Sequence, residues 1–201
     1  MGTRNLVAVV LDGEYKIAQY GQWDGYPEGQ GVRALEFLRG EGNIDRLRSA
    51  LGRVRFLDMD GADAEMVKRF DAGLGSDEEK SWFDRFISRD LGAEILASVA
   101  NAADEVIVLK NSLPFAAESL FCEWAYVVDL DKGSFEVFRG FNNAPLAEGE
   151  RFAFLPLPAD HAPYFQVRHF YSFVGLDVLP SDAEFLEACE RQSALDDEAG
   201  L

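Results

Sequence analysis

Cysteine is scarce in this chain: two of 201 residues, Cys122 and Cys189, far apart and without a CxxC spacing. Neither a disulfide framework nor a zinc cluster is expected, and a reducing cytoplasm fits. Histidine is equally scarce, and His161 and His169 stand eight residues apart across a proline, which is not metal-ligand spacing. Long apolar runs are missing too. The first, Leu6 to Leu11, stops at Asp12, too short for a secretory core or a membrane span, and no later run approaches that length. Gly2 invites the myristoylation motif, but Leu6 stands where that motif needs Ser or Thr. Positive charge is the last shortage: 19 basic against 36 acidic residues leave a net charge of −17. Such a chain repels phosphate backbones and anionic lipid, so neither nucleic acid nor membrane is expected as a partner.

What is present supports one substantial core, since 48% of the residues are hydrophobic. Residues 5–11 and 14–20 alternate around Asp12-Gly13, a favoured two-residue turn, and predict an N-terminal hairpin with Val10 opposite Tyr15 and Ala8 opposite Ile17. Helical spacing follows at 32–39, stopped by Gly40, and at 43–51, with Asn43 as its cap. A short strand is expected at 53–57 and a helix at 63–72. Ser76 and Glu79 have capping-box spacing ahead of one long or two consecutive helices, and 105–109 reads as a strand. Residues 121–131 and 134–139 form a second hairpin about Lys132-Gly133, 166–173 a final strand, and Ser181 with Glu184 opens a last helix before an acidic tail, 196–201, expected to fray. The expectation is a single α+β domain over 1–195, with antiparallel hairpins at the N-terminus and in the C-terminal half and a helical middle.

The segment QYGQWDGYPEGQG (19–31) concentrates special-purpose residues at the junction of the second strand and the first helix. Glycines admit backbone conformations closed to other residues and allow close approach to the main chain. Trp23 and Tyr26 offer flat rings, Gln22, Asp24 and Gln30 oriented polar groups, and Arg33 a charge near the helix start. These six residues are the candidate ligand-binding set, for a nucleoside-, nucleotide- or sugar-like molecule that is neutral or weakly anionic. No cofactor and no metal is expected, and nothing in the sequence sets an oligomeric state. Two alternatives stay open. One is a protein-interaction module using these rings and the aromatic segment 164–173. The other is a carboxylate-based hydrolase pairing Asp24 with Glu123 or Asp129.

Other constellations read as structure. FLDMDG (56–61) resembles the opening of haloacid-dehalogenase-type phosphatases, in which two aspartates handle phosphorus and a proton. Ala62 replaces the Thr of that pattern and no parallel α/β unit surrounds the segment, so a solvated turn is the reading. Strand alternation sends Cys122, Trp124, Tyr126, Val128 and Leu130 to one apolar face, where a cysteine acts as a small hydrophobe. Glu123, Asp129 and Asp131 then fall on an opposite, polar face. Thr3 would serve as an N-terminal nucleophile only after a cleavage that exposed its amine.

Taken together, MGTRNL (1–6), AQYGQWDGYPEGQG (18–31), SRDLGA (88–93) and SLFCEWAYVVDLD (119–131) resemble a widespread family of uncharacterised bacterial and fungal proteins. The QWDGYP core is also similar to shorter hypothetical phage proteins. The resemblance spans roughly residues 1–142 and implies relatedness without an activity.

Overall fold

The computed structural model describes residues 2–160 and 162–199 of an α+β domain built on a five-stranded mixed sheet. Asp12 and Gly13 both have positive φ, as a twisted two-residue hairpin turn requires, and they join β1 (Asn5–Leu11) to β2 (Glu14–Gly21). The second hairpin pairs β5 (Trp124–Asp129) with β6 (Ser134–Arg139), and β7 (Arg168–Val174) adds to its far side. The hairpins are joined by a parallel pairing of β1 with β5, from Asn5 opposite Trp124 to Val10 opposite Asp129, giving the order β2-β1-β5-β6-β7. The Asp131 carboxylate accepts the N–H groups of Asp12 and Gly13 and so ties the two hairpin ends together.

The helical middle covers one face. Its elements are α1 (Val32–Arg39), α2 (Asn43–Leu51), α3 (Ala64–Asp71), α4 (Asp77–Phe86) and α5 (Glu94–Ala100), with a small parallel pair of β3 (Val54–Phe56) and β4 (Ile107–Leu109). The Ser76–Glu79 capping box forms as expected and starts α4. Asn43 does not cap α2. Gly42, with a φ of 68°, takes that position, and the Asn43 amide donates instead to the Phe37 carbonyl at 2.7 Å, closing the end of α1. The last helix, α6 (Asp182–Ala199), runs on through the start of the expected frayed tail, because buried Asp196 accepts a hydrogen bond from Arg168 on β7. Gly200 and Leu201 lie outside the described residues.

The sheet is buried on both faces, which overturns the expected polar face. Val7, Val9, Tyr126, Val128, Phe135 and Val137 pack under the helices. Leu6, Ala8, Ala125, Val127 and Phe138 lie under a second layer of Phe152, Leu155, Val167 and the 3-10 turn Leu113–Ala117. A central strand covered on both sides reads as a continuous apolar run, as WAYVVD does. Cys122 joins this second layer rather than the face of Trp124 and Tyr126. Two bulges complete the pattern. Val9 pairs with Ile17 but Val10 with Tyr15, so Lys16 is the extra residue and Tyr15 and Ile17 point to opposite faces, where unbroken alternation put them together. In β7, Val137 pairs with Tyr171 and Phe138 with His169, so Phe170 is the extra residue there.

Candidate functional site

The glycine-rich segment lies at the Asn5 end of the sheet and is turned against the protein's own backbone. Gly25 N–H donates to the Thr3 carbonyl at 2.9 Å, and the buried Tyr126 hydroxyl donates to the Gly25 carbonyl at 2.8 Å. The Gln30 N–H donates to Asp24 O at 2.8 Å within the tight turn Pro27–Gly31. A Cβ on Gly25 would come within 2.7 Å of Thr3 O, and one on Gly29 would overlap the Asp24 carbonyl oxygen. The glycines therefore serve close approach of chain to chain.

Gln30 is fully engaged: its amide nitrogen donates to Trp23 O at 3.1 Å and its oxygen accepts the Ala93 N–H at 2.7 Å. Gln22 N–H donates to Arg89 O at 2.9 Å, and Trp23 Nε1 donates to the Asp90 carboxylate at 2.8 Å. Segments 18–31 and 88–93 thus form one knot. The rings of Trp23 and Tyr26 remain about half exposed, at 46% and 49%. Asp24, at a φ of 54°, makes an exposed ion pair with Arg33 at 3.7 Å. Of the cavities described here, none takes Gln22, Trp23, Asp24, Gln30 or Arg33 into its wall. Tyr26 borders a groove of 640 Å³ with Pro27, Trp124, Leu186 and Cys189. Burial, with the Glu28 charge adding to it, pushes the Cys189 thiol up to about 12, so its floor is not nucleophilic.

One residue before the knot, β2 opens onto a cleft of 350 Å³ lined by Gln19, Tyr20, Ile87, Arg89, Lys110, Asn111, Ser112, Pro114, Phe115 and Glu118. Local chemistry builds its walls. Ser112 N–H donates to Ala18 O at 2.9 Å and clamps the 110–112 segment along the edge of β2. The Asn111 side chain accepts the Leu113 N–H at 3.0 Å and starts the 3-10 turn. That turn presents Phe115, whose ring meets Tyr20 edge to face at 4.9 Å. Gln19 closes the other wall by donating to the Ser88 carbonyl at 2.9 Å.

The electrostatics of the cleft are unusual for so acidic a chain. Arg89 and Lys110 enter it with no ion pair and no side-chain hydrogen bond among the described residues. Asp90, the acidic neighbour of Arg89, is committed to Trp23. Arg4 stacks on Phe121 at 4.7 Å and its charge also reaches Tyr20. Burial raises the Tyr20 phenol above its ordinary range, and Arg4 and Arg89 pull it partly back. Its hydroxyl donates to Gln22 Oε1 at 2.6 Å, which places Gln22, of the expected set, next to the cleft.

The remaining expectations separate cleanly. Asp24 and Asp129 lie at opposite ends of the sheet: Asp24 follows the Asn5 end, whereas Asp129 is level with Val10. Five residues of strand separate those levels, about 17 Å at ~3.3 Å per residue, far beyond the roughly 9.5 Å limit of a catalytic carboxylate pair. Glu123 accepts the Arg4 N–H at 3.3 Å and shares no described cavity with Asp24. Asp129 and Glu136 instead grip Arg151 on the second face of the sheet, at 2.5 Å each. Buried Cys122 donates weakly to Trp124 O, and burial drives its thiol far above the ordinary range. Thr3 is buried. The FLDMDG turn is held by Asp63, which takes a bidentate bond from Arg55 and the Asp58 N–H and whose carboxyl is held at about 2 as a result. Of the aromatic segment 164–173, Phe170 is buried and Tyr171 and Phe173 pack on the core, so little of it faces outward as a partner surface. His161 lies outside the described residues.

Arg89, Lys110 and Phe115 are the cleft residues that sequence reasoning passed over. They come from separate segments, and only the fold brings them to Tyr20. Comparison of the chain with family models, curated proteins and solved structures found no match, so the residues themselves carry the argument.

Proposed function

We propose that this protein binds a small anionic molecule bearing a flat ring, of nucleotide-like or aromatic-acid chemistry, in the cleft between β2 and residues 110–118. The observation that carries this reading is the pair Arg89 and Lys110: two cations without partners among the described residues, flanking one cavity in a chain of net charge −17. Against these two cations the cleft wall sets one carboxylate, Glu118, and the surplus positive charge in a concave site focuses potential toward an anion. The adjoining Tyr20 and Phe115 rings offer apolar faces, and Asn111 and Ser112 offer polar groups to fix an orientation. The volume suits a ligand of that size. Both cysteines are free and buried, in keeping with a cytoplasmic setting.

Calorimetric titration with the four ribonucleoside monophosphates, their uncharged nucleosides and a set of aromatic carboxylates tests the reading. An anionic member should bind at least tenfold tighter than its uncharged counterpart, and Arg89→Ala should weaken it about 10- to 100-fold, the scale of a charged hydrogen bond of 1.5–3 kcal/mol. Added salt should weaken it further. Equal binding of charged and uncharged members, or unchanged affinity in the R89A/K110A double variant, refutes the proposal.

A further inference from the structure

On the second face of the sheet a cavity of 470 Å³ runs from the level of Val10 to that of Leu6, with Tyr15, Lys132, Glu136, Arg151, His169 and Ser172 in its wall. Its polar wall is a product of the two bulges. In a regular strand, residues three apart face opposite sides. In β7, Phe170 and Tyr171 both turn to the helical face, so His169 and Ser172 emerge together on the other, with Nε2 and Oγ 2.7 Å apart. The bulge in β2 likewise delivers Tyr15 to this cavity. Bulges recur where a strand must re-aim a functional side chain. The imidazole is held by Phe138, edge to face at 5.6 Å.

We propose that Ser172 and His169 form a nucleophile–base pair that cleaves esters of short, uncharged acyl groups. With Nε2 unprotonated, the Ser172 hydroxyl donates to it. As the proton passes to Nε2, Oγ bonds to the ester carbonyl carbon and the carbonyl electron pair moves to oxygen. Collapse of the adduct breaks the acyl C–O bond, and the departing alcohol takes the proton from Nε2. Water then adds to the acyl-Ser172 carbonyl in the same way, releasing the acid and restoring the hydroxyl. The wall carries two cations, Arg151 and Lys132, against two carboxylates, Glu136 and Glu150, with Arg151 held by Glu136 and Asp129, and this balance favours a neutral acyl group. Lys132 makes only a long ion pair with Asp129, at 3.8 Å, on a largely exposed side chain, and is the wall cation that turns toward the oxyanion. No carboxylate is hydrogen-bonded to His169 among the described residues, so the pair acts as a dyad and its advantage over buffer should be modest, about 100-fold.

The test is labelling of the purified protein with a fluorophosphonate probe, with mass mapping of the labelled peptide, alongside hydrolysis of 4-nitrophenyl acetate. The label is expected on Ser172, with an initial burst of nitrophenolate. Ser172→Ala should abolish both, and His169→Gln should slow labelling at least tenfold while its thermal midpoint stays at the wild-type value. Absence of label on Ser172, or labelling of H169Q at the wild-type rate, overturns the proposal.

Discussion

Two neighbouring regions at the Asn5 end of the sheet invert what their compositions advertise. Residues 21–31 gather glycines, rings and carboxylates, yet the groups that face inward are spent on the protein itself: Gly25 on Thr3 and Tyr126, Gln30 on Trp23 and Ala93, Trp23 on Asp90. The adjoining cleft is walled by residues unremarkable in sequence, and it keeps unspent cations, Arg89 and Lys110, beside two rings. Density of special residues reports how closely the backbone is packed. Availability for a ligand is reported by which groups still lack partners.

The comparison breaks most visibly at Gly29. A Cβ there would strike the carbonyl oxygen of Asp24, a backbone atom already fixed by its bond to Gln30 N–H. Gly29→Ala should lower stability by about 3 kcal/mol, the upper range for overpacking, measured by urea denaturation. The folded fraction should bind the cleft ligand with unchanged affinity. A loss under about 0.5 kcal/mol, the scale of a neutral surface change, would mean the glycine leaves room for something other than the chain.

A smaller effect is expected at Gln30, whose side chain bridges the knot to α5. Gln30→Leu keeps much of the volume but leaves the Ala93 N–H without a partner in a buried place, while the Trp23 carbonyl keeps its bond from the Asn5 amide. The expected cost is about 2 kcal/mol, as for a buried polar group left unpaired. Amide exchange at Ala93 should accelerate in step with global stability. If stability holds while ligand affinity falls, Gln30 belongs to the binding site, and the contrast between the two regions fails.

The same contrast explains what could be read from the sequence. The Asp12-Gly13 turn and the Ser76–Glu79 box were legible because their partners lie within a few residues. The parallel pairing of β1 with β5 joins residues 119 apart, from Asn5 with Trp124, and no local pattern encodes it. Without that pairing the second apolar layer is invisible, so Asp129 reads as surface when it is a buried partner of Arg151. The bulges at Lys16 and Phe170 defeat strict alternation, and they move Tyr15, His169 and Ser172 to a face the period of two denies them. Arg89 offered no signal because Asp90 stands beside it and cancels its charge in the sequence. Only the fold shows that Asp90 faces Trp23.

Asp24 gives the smallest expected effect and the sharpest division between the regions. It is the one carboxylate of the knot with an unusual backbone, at a φ of 54°, a conformation that Asn tolerates at least as well as Asp. Its partner Arg33 is 3.7 Å away and both side chains are largely solvated, so the pair contributes at most about 0.5 kcal/mol. Asp24→Asn should therefore shift stability by no more than that amount, and leave both ligand affinity in the cleft and ester hydrolysis unchanged. Asp24→Ala should cost more than Asp24→Asn, because alanine is poorly suited to positive φ while asparagine is not. That ordering of the two variants is the mark of a backbone role. If both variants lost binding or turnover equally while remaining as stable as the wild type, Asp24 would act through its charge, and the glycine-rich knot would regain the role its composition suggests.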